Sequence, residues 1–252
     1  MDEPLGPLRA SVARLGELVS GFDDTDLEKP SYDPGWDVAA VLSHLGSGAV
    51  ISLRRLEDAE TGTEMPEDFP PSVWDEWDAK APRAQADDSL AVDRRLLETL
   101  EALPADQRKR LAISFGPITL GFDESVAMRL NEHAFHTWDI EVAFDAAACI
   151  PEDATAVIID NLGLIARFSA KPADIEREVR VRTTHPERHF TVRLTPTSSE
   201  LLAGDAGVAP DLELPAESFC RLVYGRLDPD HSPELSANGE ELDLLRRVFP
   251  GP

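Results

Sequence analysis

Apolar residues recur every three or four positions through most of the first 146 residues, and at alternate positions only later. Residues 5–22 set Leu8, Val12, Leu15, Leu18 and Val19 on one helical face. A second helix is predicted over 37–59, with Asp37 as N-cap and Trp36 and Val41 spaced as a hydrophobic staple. The proline-rich "EMPEDFPPS" then leads into a third helix from about Trp74 to Leu103. "LAISFGPITLGF", punctuated by glycine and proline, reads as a short hairpin or an extended crossing, and a fourth helix runs from Asp123, its expected N-cap, to about Phe144. Four helices with one or two long connections predict a bundle, a fold that can hold a metal or cofactor between facing helices.

The period changes after Pro151. A helix at about 152–168 is followed by "REVRVRTT" and "HFTVRLTP", two alternating runs joined by the polar "HPER", a strand–turn–strand signal. "SELLAG" and "DLELP" are candidate further strands, and "AESFCRLVYGR" and "GEELDLLRRVF" are candidate helices. The expected fold class is α+β, with a four-helix bundle over residues 1–148 and a small α+β domain over 149–252.

Composition narrows the function classes. A chain of 252 residues can form one large domain or two modest ones. It has no apolar run of membrane-spanning length, and "MDEPLGPLRA" lacks the pattern of a secretory signal, so a cytoplasmic location is expected. Cys149 and Cys220 have no CxxC partner, which argues against a disulfide framework or a cysteine zinc site. The net charge of -24 is spread along the chain and repels nucleic acid, but it identifies no partner.

The candidate chemistry lies in "NEHAFHTWDIEVA", residues 131–143. Glu132 and His136, four apart on a helix, share a face and can chelate one ion; His133 and His136 form a competing pair. The metalloprotease signature does not fit, since it needs two histidines four apart with a glutamate right after the first. With 48 acidic residues in 252, about one histidine in five has an acid four places upstream by chance. Arg129, Glu132, His136 and Asp139 also form the stripe that an ordinary solvated helix face would form. In "WDVAAVLSHLGSGAVISL", His44 lies beside Ala40, Val41, Gly48 and Ile51, away from Ser43, Ser47, Arg54, Glu57 and Asp58. A core histidine bonded to a carbonyl explains that placement, and so does a ligand facing a cavity. If His44 joins Glu132 and His136, the set has two histidines, one glutamate and an open fourth position, the pattern of a catalytic zinc site.

"GWDVAAVLSHL" together with "NEHAFHTWDIEVA" resembles the mycothiol-dependent maleylpyruvate isomerase family. The resemblance implies a DinB-like four-helix bundle whose metal ligands are His44, Glu132 and His136. "ESFCRLVYGRLDPD" and "LSANGEELDLLRRVF" are similar to the end of the family's sterol-carrier-like C-terminal domain. There the Gly225-Arg226 pair would contribute Arg226 to the cleft between domains. The implied cofactors are a divalent metal, zinc by ligand type, and mycothiol as the external thiol, with a small electrophilic molecule as substrate. The activity is then S-transfer or cis–trans isomerisation.

Further expectations follow from the residues. Cys149 and Cys220 read as packing residues in apolar surroundings, which leaves the nucleophile to an external thiol. Asp139, one turn beyond His136, is placed to accept its second ring N–H, or else is a surface aspartate. Arg226 suits a substrate carboxylate or the thiol cofactor, with a surface ion pair as the plainer reading. Trp36 and Trp138 are expected in core or staple roles, and His133, His185, His189 and His231 as solvated or turn residues. Two rival functions remain, a non-catalytic binder of a lipid or other small molecule and a hydrolase using zinc-bound water. A monomer and a homodimer are both compatible with the chain, with no nucleic acid or membrane partner expected.

Overall fold

The computed structural model describes residues 4–232, 235 and 239–251. Of the segments carrying the resemblance, residues 236–238 lie outside the described residues. The chain forms two compact units that meet in sequence at Ala148 and Cys149, the first helical and the second a small sheet with helices.

The helical unit begins with α1 (Leu5–Val19), whose Leu5, Leu8, Val12, Leu15 and Val19 are buried at the expected spacing. The one-turn α2 (Asp24–Leu27) is capped by Asp23, which accepts from the Asp26 amide. α3 (Val38–Thr61) starts at Asp37, whose side chain accepts from Ala40 N at 2.8 Å, and ends where Gly62 turns left-handed at φ 72°.

The third predicted helix is two helices, α4 (Phe69–Asp78) and α5 (Pro82–Ala102). Pro82 has no N–H and holds Ala81 extended at ψ 149°, which stops a helix from running through. α4 also starts earlier than expected, because Pro70 and Pro71 sit in its first turn, where the missing N–H groups cost nothing. After the short α6 (Ala105–Arg108), β1 (Ile113–Phe115) and β2 (Ile118–Leu120) form a hairpin about Gly116, which settles the choice between hairpin and crossing.

The long α7 (Phe122–Glu141) is entered at Gly121 rather than at Asp123, with Glu124 accepting from the Gly121 amide at 2.8 Å. α7 lies against α1 and α3, and α3 against α4 and α5. Leu15, Val19, Val41, Leu42, Leu45 and Ile140 form one core across α1, α3 and α7. At Gly46 a Cβ would stand 2.1 Å from the Trp77 ring, so only glycine lets the α4 indole seat against α3.

The second unit opens with α8 (Glu152–Ile158), a 3-10 turn at Ile159–Asn161 and α9 (Leu162–Ser169), where one helix was expected. β3 (Arg177–Thr184), β4 (Arg188–Leu194), β5 (Ser199–Ala203) and β6 (Leu212–Pro215) form a sheet of order β5-β4-β3-β6. Neighbours are antiparallel except β3 and β6, which run parallel. Val179, Val181 and Thr183 face inward, while Arg180 and Arg182 face outward and pair with Asp211, Glu187 and Glu213. α10 (Ala216–Val223), a 3-10 turn at Pro229–His231 and α11 (Gly239–Val248) complete the unit. The architecture is α+β. No described helix is long and apolar enough to cross a membrane.

Candidate metal centre

Two helices and one loop build the centre. Asp37 fixes the start of α3, and two turns later the helix presents His44. Glu132 and His136 project one turn apart from α7. His44 Nε2 lies 3.3 Å from Glu132 Oε2, which lies 3.8 Å from His136 Nε2. One potential ligand atom from each of the three falls within 4.8 Å of the others. Ligand atoms arranged tetrahedrally about zinc at ordinary bond lengths stand roughly 3.4 Å apart, so these spacings fit a shared ion.

The loop between α2 and α3 closes one side. Val38 N bonds Lys29 O, Trp36 N bonds Asp33 O, and Tyr32 N reaches α7 at Asp139 O, 3.0 Å away. The loop so pinned delivers Asp33 and Trp36. His136 Nδ1 is 2.8 Å from Asp139 Oδ2 and 3.4 Å from Asp33 Oδ2. Asp139 is fully buried and Asp33 nearly so. Two carboxylates on Nδ1 hold the proton there and leave Nε2 as the lone-pair nitrogen on the Glu132 side once the ring is neutral. The Trp36 indole, half-exposed rather than in the core, lies 5.3 Å from the His44 ring and stacks 6.2 Å from His136.

The site is electrostatically polarised. Burial alone would raise the Glu132 pKa, but its bond to His44 and the charges of His136, His44 and Arg129 bring it down to about 2. Burial alone would lower that of His136, but hydrogen bonds to Asp139 and Asp33, with the charges of Asp139 and Glu132, raise it to about 9. Without a bound cation, a carboxylate therefore faces an imidazolium at neutral pH, and a divalent ion held by Glu132 and His136 would have to displace the ring proton. Asp33, His136 and Asp139 also come close enough to share an ion. His44, Glu132 and His136 are the better set, because they are accessible and sit beside a groove of about 620 Å³ bordered by Trp36, Ala40, His44, Trp74, Asp78 and Gln85.

Several expectations need correction. The stripe Arg129–Glu132–His136–Asp139 is not a solvated face, since Arg129 and Asp139 are buried. His133 is not solvated either; it is fully buried, with Nδ1 2.8 Å from Ser11 Oγ and Nε2 3.4 Å from Asp93. Ser43 and Ser47 are buried, bonding Asp78 and the His44 carbonyl, so the polar side of α3 is not its wet side. The space at Gly48 is taken by Arg129, whose Nη1 would be 3.0 Å from an added Cβ. Cys149 is exposed, whereas Cys220 is buried and its thiol pushed well above the usual range by desolvation. Trp138 is core as expected, its indole N–H donating to Ala148 O at 2.8 Å.

Arg226 belongs to the second unit. It is buried, and its Nη1 donates to Tyr224 O at 3.1 Å. Gly225 before it has φ 68°, and a Cβ there would meet Gly251 Cα at 2.0 Å, so this position admits only glycine. Asp33 escaped the sequence reading, and Trp36 was assigned a core or staple role rather than a place beside the imidazoles. They stand about a hundred residues from His136 in a loop whose turn residues carry no periodic signal.

The family described as the mycothiol maleylpyruvate isomerase N-terminal domain matches residues 8–141, and the one described as the MDMPI C-terminal domain matches residues 152–246. No curated protein matches the chain. A crystal structure described as mycothiol-dependent maleylpyruvate isomerase superposes with a TM-score of 0.65 over 89% of both chains at 17% identity. A mutant of that isomerase superposes with the same TM-score and coverage at 16% identity. At such identities these likenesses describe the fold.

Proposed function

The chain belongs to the mycothiol maleylpyruvate isomerase family, an enzyme family, and from that premise we propose that it is a metal-dependent enzyme using an external thiol on a small electrophilic substrate. The observation that carries the proposal is the convergence of His44, Glu132 and His136 on one point, with the second nitrogen of His136 held by Asp139. Two imidazoles and one carboxylate suit zinc by ligand type. Such a cation, when bound, stabilises a thiolate at neutral pH.

The chain's own residues do the rest. Asp139 and Asp33 keep the proton on His136 Nδ1 and aim Nε2 toward Glu132. Trp36 shields one side of the imidazoles from water, and the groove beside His44 receives the polar body of the thiol between Trp36 and Trp74. Arg226 is assigned to a carboxylate of substrate or thiol, for which guanidinium geometry is suited. No cysteine belongs to either ligand cluster among the described residues, so mycothiol, the thiol the family is named for, supplies the sulfur. The thiol adds to an electrophilic carbon. Retention of the adduct is transfer; rotation about the former double bond followed by expulsion of the thiol is isomerisation and returns the thiol unchanged.

The test is elemental analysis of protein purified without chelator, followed by cobalt substitution and addition of mycothiol. One metal per chain and a new sulfur-to-cobalt absorption band are expected. Absence of metal would overturn the enzyme reading in favour of a binding protein. A cobalt spectrum indifferent to mycothiol would turn the assignment to hydrolysis by metal-bound water.

A further inference from the structure

Gln85 and Asp78 border the groove beside His44 but belong to neither ligand cluster. Gln85, on α5, is more than nine-tenths buried, and its Nε2 donates to Trp77 O at 3.2 Å. A carbonyl only accepts, so the amide nitrogen must face Trp77 and the amide oxygen is left for the groove. Asp78 closes α4, where a carboxylate opposes the helix dipole. It accepts from Ser43 Oγ at 3.1 Å, and no lysine or arginine among the described residues pairs with it. A charge so placed does not help α4 and calls for another use.

The stronger donors on the same groove are already engaged. Lys80 Nζ is 2.9 Å from Asp88 and lies over the Trp77 ring, and Ser47 Oγ donates to His44 O. Asp37 adds a second carboxylate, one oxygen of which caps α3. Apart from ring N–H groups, the groove therefore offers acceptors and negative charge, bordered by the exposed indoles of Trp36 and Trp74. Such a lining complements a ligand that donates hydrogen bonds and repels one that carries carboxylate or phosphate. Resting on the reading that an external thiol occupies this groove, we propose that Gln85 and Asp78 determine which thiol is accepted. Gln85 Oε1 and the second Asp78 oxygen accept from hydroxyl groups on an uncharged body, and the carboxylates turn away anionic thiols. A thiol without hydroxyl groups leaves these acceptors unpaired, which is what makes the discrimination large.

Mycothiol and glutathione both present a cysteinyl thiol, but the body of the first carries hydroxyl groups and that of the second carboxylates. Each is titrated into the cobalt-substituted protein, and the sulfur-to-cobalt band gives the two dissociation constants. The unmodified protein should prefer mycothiol by more than about 10-fold. D78N, whose amide oxygen can still accept from Ser43, should lower the Kd for glutathione and raise that for mycothiol, each by about 3–10-fold. Q85M, of similar volume, should raise the mycothiol Kd by about 3–10-fold and leave that of glutathione unchanged. Equal affinities for the two thiols, or a ratio that neither variant shifts, overturn the proposal while thiol use stands. A band absent with both thiols refutes thiol use itself and this inference with it. Should Q85M not fold, D78N decides alone, since Asp78 is exposed.

Discussion

His133 and His136 stand three residues apart on α7, yet their surroundings differ in kind. His133 meets Ser11 of α1 on one nitrogen and Asp93 of α5 on the other, with no solvent access. At 3.4 Å the contact with Asp93 is longer than a well-formed hydrogen bond. Arg129 completes this buried network by donating to the same aspartate and to Leu45 O, which joins α3, α5 and α7. His136 has the buried carboxylates of Asp139 and Asp33 on Nδ1, while Nε2 lies on the side of the more accessible Glu132 and of His44. An imidazole with both nitrogens enclosed can only hold helices together; one whose Nε2 meets an accessible carboxylate and a second imidazole can do chemistry. The role of each ring is set by what other segments bring to it, not by its place in the motif.

The comparison can be broken by substitution. H136A should abolish metal binding and lower activity by at least about 10³-fold while leaving the circular dichroism spectrum unchanged. Metal content and steady-state rates measure this, and a variant that keeps its metal would remove His136 from the centre. D93N should do the reverse. Leaving Arg129 and His133 buried without their carboxylate should cost about 3–5 kcal/mol of stability, read by denaturant unfolding, with one metal still bound per folded chain.

Smaller effects sharpen the contrast. D139N removes the anionic acceptor on His136 Nδ1 and should weaken metal affinity by about 10–100-fold, measured by chelator competition. With the His136 pKa raised to about 9, the metal-free ring stays protonated at neutral pH, so each ion bound at pH 7 should release about one proton. Apparent affinity should then rise with pH and level off above about 9. Calorimetry in buffers of different ionisation enthalpy checks the proton count, and H133Q should leave it unchanged. The smallest effect is expected for W74A, which should raise the KM for the thiol by about 3–10-fold with kcat little altered, since Trp74 borders the groove and belongs to neither ligand cluster.

Local signals carried most of the secondary structure. Asp37 caps α3 because a short carboxylate can reach the amide three residues on whatever the tertiary fold, and the alternation of β3 and β4 shows in their side chains alone. The break at Pro82 was equally local and readable, since proline disfavours a helical residue before it. The spacing of Glu132 and His136 placed both on one face of α7, and the motif around His44 proposed the third member of the set.

Helical periodicity assigns a residue to a face of its own helix; it does not say what that face meets. Whether the α7 stripe was wet or buried, and which histidine was enclosed, depended on Ser11, Asp33 and Asp93, delivered from 122, 103 and 40 residues away along the chain. Those approaches arise from packing of whole helices, whose free energy is spread over many apolar contacts and leaves no short-range mark. Spacing and capping signals alone carried most of the helices and strands and the shared face of Glu132 and His136. Only the packing of whole helices decided which imidazole of α7 meets Glu132 and His44, and which carboxylates orient it.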